Sequence, residues 1–230
     1  MNFGLIKISG SYFKEHIHEL LSFIKSNHNQ NIIFMVGGGN IMRGRSVKSD
    51  KRLFKDRIGI MSTLINGIDL ADKISDLGFD SYIASPICNE DIINKYNPIK
   101  IRQLMQNSHN KIIICGGLGW CGNVSTDTAM VIRGLELSCN WVCKASTVGG
   151  VFDKDPSSNV GAKLLHSLDY EQAIKYDAYD KSAILIAQEN NLPLIVANLT
   201  NLSKMLPMLN NNNLNDIDNK IMNKNSTIIK

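Results

Sequence analysis

A lysine, Lys7, stands near the end of the apolar run Phe3–Ile8 (FGLIKI), directly before Ser9-Gly10. A second apolar run, Ile32–Val36, leads into three consecutive glycines, Gly37–Gly39, and then Asn40 and Arg43. Cations and bare backbone at the ends of strands are the materials of phosphate chemistry. Glycine has no Cβ, so such a turn can take positive φ or approach a ligand closely. If a helix opens at about Asn40, its unpaired N–H groups and positive dipole end face whatever occupies the turn, and an anion is the natural guest. Arg43 would add a bidentate donor to phosphate. Three glycines in succession cost backbone entropy that an ordinary turn does not need, which favours the phosphate reading over a plain strand–helix connection. Lys7 keeps two readings, a ligand-facing cation at a strand's C-terminal end or an edge lysine reaching water.

Other groups point the same way, each with an ordinary alternative. Asp56 opens a helical stretch, as a first-turn acid or as an acceptor for a ribose or base hydroxyl. Ser125-Thr126-Asp127 caps a helix, and could also hold a phosphate and orient a lysine. Val151–Pro156 (VFDKDP) is an Asp-Pro turn or an aromatic platform with acids for a base and ribose. The pattern GxxxxGK[ST] is absent, which excludes a P-loop of that type. Gly117-x-Gly119-x-x-Gly122 fits the dinucleotide fingerprint of an oxidoreductase, but the following strand, Asn140–Ala145, ends in Lys144 without the ribose-binding acid. Cys88, Cys115, Cys121, Cys139 and Cys143 lie mostly in or beside apolar strands, with no CxxC or Cys/His spacing, and read as reduced core residues.

Strands alternating with helices must position these groups. Strands are expected at Phe3–Ile8, Ile32–Val36, Asp80–Ala84, Lys111–Cys115, Asn140–Ala145 and Pro193–Ala197, where the sequence is apolar and short. Helical periodicity marks Ser11–His28 and Arg57–Leu77, the second stopped by Gly78. Further helices are expected at Pro98–His109, Asp127–Ser138, Tyr170–Tyr176 and Asp180–Asn190. Arg45–Lys55, Gly116–Thr126 and Gly149–Pro156 read as loops, Asn210–Asn213 as a loose connection, and Ser226–Lys230 as a returning edge strand. This order implies an α/β fold with a mainly parallel, doubly wound sheet.

The chain of 230 residues is long enough for one domain with a sizeable core, and no linker divides it. A formal charge of +4 without a Lys/Arg block, and only 7% aromatic residues, argue against nucleic acid. No apolar run is long enough to span a membrane and no signal segment precedes the first strand, so a cytoplasmic protein is expected.

Taken together, Lys7–Gly10 (KISG), Val36–Gly44 (VGGGNIMRG), Ile60–Gly67 (IMSTLING), Ser125–Ala129 (STDTA), Cys143–Pro156 (CKASTVGGVFDKDP) and Asn190–Leu199 (NNLPLIVANL) resemble, in order, the amino-acid kinase family. The similarity covers nearly the whole chain and is strongest to the UMP kinase branch. It implies a three-layer α/β/α sandwich, with residues to about 115 on the acceptor side and those from about 116 on the ATP side. The implied reaction moves the γ-phosphate of ATP, with Mg²⁺, to UMP in a cytosolic hexamer of the pyrimidine pathway. On the resemblance, Lys7, Ser9, Gly10, Gly39 and Arg43 lie along the transferring phosphates, while Gly38, Asp56 and the Leu118–Thr126 loop, with Gly119, Trp120, Ser125 and Thr126, face UMP. Ser146, Phe152 and Asp155 would hold the adenine nucleotide, and Asp127 and Asp180 would orient the lysines or the metal. Phosphoryl transfer asks mainly for placed cations and N–H donors, with no protein nucleophile.

Three segments depart from that branch. The loop that typically reads TGNPFFTTD is here Gly117–Asp127, GLGWCGNVSTD, longer and with Trp120 where asparagine is expected. The indole of Trp120 is expected to line the acceptor pocket, since a glycine-flanked loop cannot easily bury so large a ring. Gly149 stands where the family carries an acid, and the segment after Gly10, where GTP-responsive residues would lie, is shorter than in most bacterial members. Another small phosphate or carboxylate acceptor, or a nucleotide-binding protein without turnover, are the alternatives these changes leave open.

Overall fold

Every residue of β1 (Gly4–Ile8) and β2 (Ile32–Val36) is buried, and apart from Lys7 these strands are apolar throughout in place of an alternating pattern. That is the signature of parallel strands covered on both faces. The computed structural model describes residues 2–42, 52–87, 91–107, 111–122, 124–211 and 226–230. Its remaining strands in the main sheet are β3 (Ser81–Ser85), β4 (Asn94–Lys95), β5 (Lys111–Ile114), β6 (Trp141–Ala145), β9 (Ser167–Leu168), β10 (Leu194–Ala197) and β11 (Ser226–Ile229). Nine strands run in the order β4-β3-β5-β2-β1-β6-β10-β11-β9. Within this sheet, among the described residues, only the β10–β11 pair is antiparallel. A separate two-stranded hairpin joins β7 (Val151–Phe152) to β8 (Leu164–Leu165).

Alternate residues of the central strands feed two cores. Leu5, Ile33, Met35 and Val142 face one side, where they pack with α4 (Pro98–Asn107), α5 (Thr126–Glu136), α6 (Tyr170–Lys175) and α7 (Lys181–Glu189). Ile6, Phe34 and Cys143 face the other side, toward α1 (Gly10–Glu15), α2 (Ile17–Ser26), α3 (Arg52–Asp76) and α8 (Leu199–Leu209). The result is the expected α/β/α arrangement around a mainly parallel sheet. Because side chains alternate along a strand, Lys7 and Lys144 share the face of Leu5 and Val142, toward α5.

Several local expectations are corrected. The first helical stretch breaks at His16 into α1 and α2. No helix opens at Asn40 within the described residues; Ile41 and Met42 N–H both bond Gly38 O, which makes a single turn. Arg43 lies outside the described residues. Helix α3 begins at Arg52, so the end of the supposed Arg45–Lys55 loop is helical. The Gly149–Pro156 loop contains β7. Ser226–Ile229 is no edge strand, because β11 lies between β10 and β9. Helix α8 was not expected at all; Asn198 caps it through its side chain and Pro207 lies within it.

Candidate active site

The strand pairing places Lys7 and Lys144 directly opposite each other on β1 and β6. Two ammonium groups side by side repel, and a carboxylate between them offsets that repulsion. Asp127, in the first turn of α5 and only 6% exposed, fills that place. Its Oδ1 accepts from Lys7 Nζ and its Oδ2 from Lys144 Nζ at 3.1 Å. Lys144 Nζ also donates to Ala178 O at 3.2 Å.

Burial is the largest influence on both members of the Lys7–Asp127 pair. It lowers Lys7, and together with the neighbouring Lys144 charge it outweighs Asp127, so Lys7 ends below its ordinary value. For Asp127 burial acts upward, but Lys7 and Lys144 together outweigh it and hold the carboxyl below its ordinary range. The cluster presents two ammonium donors on one face of the cavity, where an anion can meet them, while Asp56, Asp177 and Asp180 also line the site.

Local capping sets the helices that carry these groups. Ser125 Oγ accepts from Thr128 N–H at 3.0 Å and so fixes the start of α5. Thr128 Oγ1 meets Ser182 Oγ at 2.7 Å, tying α5 to the first turn of α7, where Asp180 is the N-cap residue. The charge of Asp180 favours protonated Lys7 from that position. Ser9 Oγ accepts from Tyr12 N–H at 3.1 Å and starts α1.

The glycine turn after β2 packs against the turn after β1. Gly37 N–H donates to Ile8 O at 2.8 Å. A Cβ on Gly10 would stand 2.4 Å from Gly39 N, so bare backbone is needed there. Asn66 of α3, buried, donates to Gly37 O at 2.7 Å and exchanges hydrogen bonds with Asn40. The same helix reaches the turn after β5, where Gly116 N–H donates to Thr63 Oγ1 at 2.6 Å.

These parts enclose a cavity of about 730 Å³. Its lining joins Lys7, Ser9, Gly10, Gly38 and Gly39 to Asp56, Leu118, Gly119, Ser125, Thr126, Asp127 and Asp180. Trp120 is not among the lining residues. Trp120 is 52% exposed, and its ring centroid stands 5.9 Å from the Arg57 guanidinium carbon. Ser146, Phe152 and Asp155 also lie outside the lining. Ser146 N–H bonds Ala197 O, Phe152 pairs with Leu164, and exposed Asp155 accepts from Ser157 N–H and Oγ.

The sequence profile described as the amino acid kinase family matches residues 3–198. The chain belongs to that family. A uridylate kinase of Wolinella succinogenes is 31% identical over 200 residues, covering 85% of this chain and 81% of the relative. One from Campylobacter concisus is 34% identical over 183 residues, 76% of this chain and 75% of that protein. Among solved structures, UMP kinase from Bacillus anthracis superposes with a TM-score of 0.81 at 23% identity, covering 100% of this chain and 96% of the other. UMP kinase from Ureaplasma parvum gives 0.80 at 24%, covering 100% and 98%.

Within this member of the amino acid kinase family, several groups escape a reading of the sequence. Lys144 is the chief one; its signal was the lysine at the end of a buried strand, the same signal that marks Lys7. Thr63 and Asn66 stand on the inward face of α3, where nothing local distinguishes them from capping or packing residues.

Proposed function

We propose that the chain transfers the γ-phosphoryl group of ATP to UMP, giving UDP, in pyrimidine nucleotide formation. The observation that carries this is the convergence, in one cavity, of the Lys7–Asp127–Lys144 cluster and the Gly10 and Gly38–Gly39 backbone with Asp56 and the Leu118–Thr126 turn. Relatives named uridylate kinases, similar over most of the chain, support it.

On this reading Lys7 and Lys144 meet the charge that spreads over the transferring phosphoryl oxygens, and the glycine N–H groups hold the phosphates in line. Asp127 favours the protonated form of Lys7 and aims both lysines. The UMP phosphate itself attacks, so no side chain need act as nucleophile. Asp56 accepts from the ribose of UMP, while Leu118, Gly119, Ser125 and Thr126 border the acceptor. Ser146, Phe152 and Asp155 take the adenine end, which extends past the cavity. Arg43 is assigned to the phosphates by the resemblance alone.

Mg²⁺ would arrive on the phosphates of ATP and neutralise their charge. Among the described residues no group of three or more His, Cys, Asp or Glu forms a cage for it. Magnesium is commonly held by one or two carboxylates with substrate phosphates, and Asp180 is the carboxylate of the lining suited to that role. A homo-oligomer, a hexamer on the resemblance, is supported by α3, whose Phe54, Ile58, Met61, Ile65 and Ile68 form an exposed apolar stripe. Among the described residues no helix is long and apolar enough to cross a membrane, in keeping with a cytoplasmic enzyme.

The test is ADP release from Mg-ATP with UMP, CMP, dUMP, isopentenyl phosphate and N-acetylglutamate. UMP is expected to give the highest kcat/KM. Equal turnover with an acceptor lacking a nucleobase would overturn the assignment, and binding of ATP and UMP without ADP formation would mark a protein that holds nucleotides without turnover.

A further inference from the structure

The turn from Gly116 to Gly122 borders the cavity and is anchored at Gly116 by Thr63 and at Leu118 by packing on the core, yet its glycines do little to fix the path between and beyond these points. Gly116, Gly117 and Gly119 have φ of 74°, 54° and 83°. One hydrogen bond closes the turn, from Gly119 N–H to Gly116 O at 2.9 Å. Glycine loses more freedom on ordering than any other residue, so a turn of this composition has many competing shapes. Its observed shape must be selected from outside.

Arg133 of α5 does this from behind the cavity. It is 6% exposed and does not line the site. Its Nε and Nη2 both donate to Gly117 O, at 3.2 and 2.9 Å. Nη1 donates to Glu136 Oε2 at 2.6 Å, and Tyr96 Oη donates to the same oxygen at 2.8 Å. The guanidinium carbon stands 3.9 Å from the Tyr96 ring centroid. In-plane bonds on two sides and an aromatic ring on the face leave the rigid fork a single orientation. A helix arginine serving only solubility would reach water; this one is turned inward onto one carbonyl of a glycine turn.

We propose that Arg133, held by Tyr96 and Glu136, is a positioning residue that sets the shape of the Gly116–Gly122 turn and thereby the affinity for the acceptor nucleotide. This rests on the kinase reading of the cavity. The ATP side is held by other groups: Lys7 by Asp127 in the first turn of α5, more than a turn from Arg133, and the Gly37–Gly39 turn by Ile8 O and Asn66 of α3.

The chain carries its own probe. Trp120 lies on this turn and is 52% exposed, whereas Trp141 is 2% exposed in the core. Acrylamide quenching of tryptophan fluorescence therefore reads the turn. Arg133→Lys keeps the charge and loses the fork; Glu136→Gln and Tyr96→Leu remove its supports at half-buried or exposed positions where folding is safe. Each variant is first checked by circular dichroism. Arg133→Lys should raise the KM for UMP by about tenfold or more, as expected for a hydrogen bond from a charged group. Tyr96→Leu should raise it about two- to fivefold, the size of a partly exposed cation–π contact. The KM for ATP should stay within about twofold throughout, and quenching should increase in the same rank order as the UMP effect. A Trp120→Phe background should abolish the quenching increase.

If the two KM values rise together, or if UMP KM rises without any gain in quenching, Arg133 is structural only and the proposal falls. An unchanged UMP KM in Glu136→Gln and Tyr96→Leu overturns it even if Arg133→Lys does not fold. Should UMP prove not to be a substrate, the functional reading fails by itself, and the quenching series, which needs no substrate, still decides whether Arg133 holds the turn.

Discussion

Two glycine turns face each other across the cavity, following the neighbouring strands β2 and β5, and they use glycine for opposite reasons. At Gly38 there is no room: a Cβ would lie 2.5 Å from Gly59 O and 2.7 Å from the Ser62 Cβ. At Gly117 there is room, with nothing within 4 Å of a Cβ, but φ is +54°. The first turn is defined by close packing of backbone on backbone, so its N–H groups are fixed before any ligand arrives. The second is defined by handedness and by side chains that grip it from two helices. A transferring phosphoryl group profits from the first kind of turn, since catalysis by fixed donors needs no reorganisation. An acceptor that must enter and leave is better served by the second.

The largest effect that would sharpen this contrast is in the chemistry. Lys7→Ala should lower kcat by roughly two to three orders of magnitude, the loss typical of one preorganised donor. Its UMP KM should change little, which steady-state kinetics in both substrates would show. A proportionate rise in UMP KM with unchanged kcat would break the division between the turns. Next in size are the glycines. Gly38→Ala should cost about 1–3 kcal/mol by overpacking, and the bulkier Gly38→Asn more. At Gly117 the order should invert: Ala costs about 1–2 kcal/mol through left-handed backbone, and Asn less, because its side chain tolerates that region. Urea denaturation of the four variants checks the inversion; the same order at both positions would mean that one physical cause governs both turns.

The smallest effect is in pH. Burial holds Lys7 below its ordinary value of 10.5, and protonated Lys7 is the form that meets phosphate. Activity in kcat/KM for ATP is therefore lost as pH rises through that lowered value. Asp127 acts upward on Lys7, so Asp127→Asn should move the alkaline limb to still lower pH. A limb that stays in place would remove Lys7 as its origin.

Much of this was legible in the sequence because the central strands are buried on both faces. Ile32–Val36 and, after Lys111, the three isoleucines of β5 write that burial as apolar runs. The strands β4, β7, β8 and β9 have two residues each, too few to carry any period. Helix α8 had a signal, with Leu199, Leu202, Met205, Leu206 and Leu209 all buried, but Pro207 and the asparagines after it obscured the stretch. In the site, Lys7 and Asp127 could be found from a strand end and a helix cap. Lys144 could not be joined to them, because its partnership depends on strand register across β1 and β6. The size of Trp120 and its glycine-flanked loop point it to the pocket, whereas the cavity lining omits it and Arg57, a neighbour distant in sequence, stands 5.9 Å from its ring.

The order of strands has a consequence for synthesis. Strands β1 to β5 are contiguous in the sheet and all emerge by residue 114, so five strands can pair while the chain is still growing. The far edge of β1 then waits for Trp141–Ala145, and β9 has no neighbour in the main sheet until Ser226–Ile229 inserts between it and β10. Because domains fold from the N-terminus as the ribosome delivers them, a nascent chain of this protein exposes two unpaired β edges in turn. Chains ending at residue 114, at Ala197 and at Lys230 and released from the ribosome should therefore lose protease sensitivity in steps, with the β10 edge protected last.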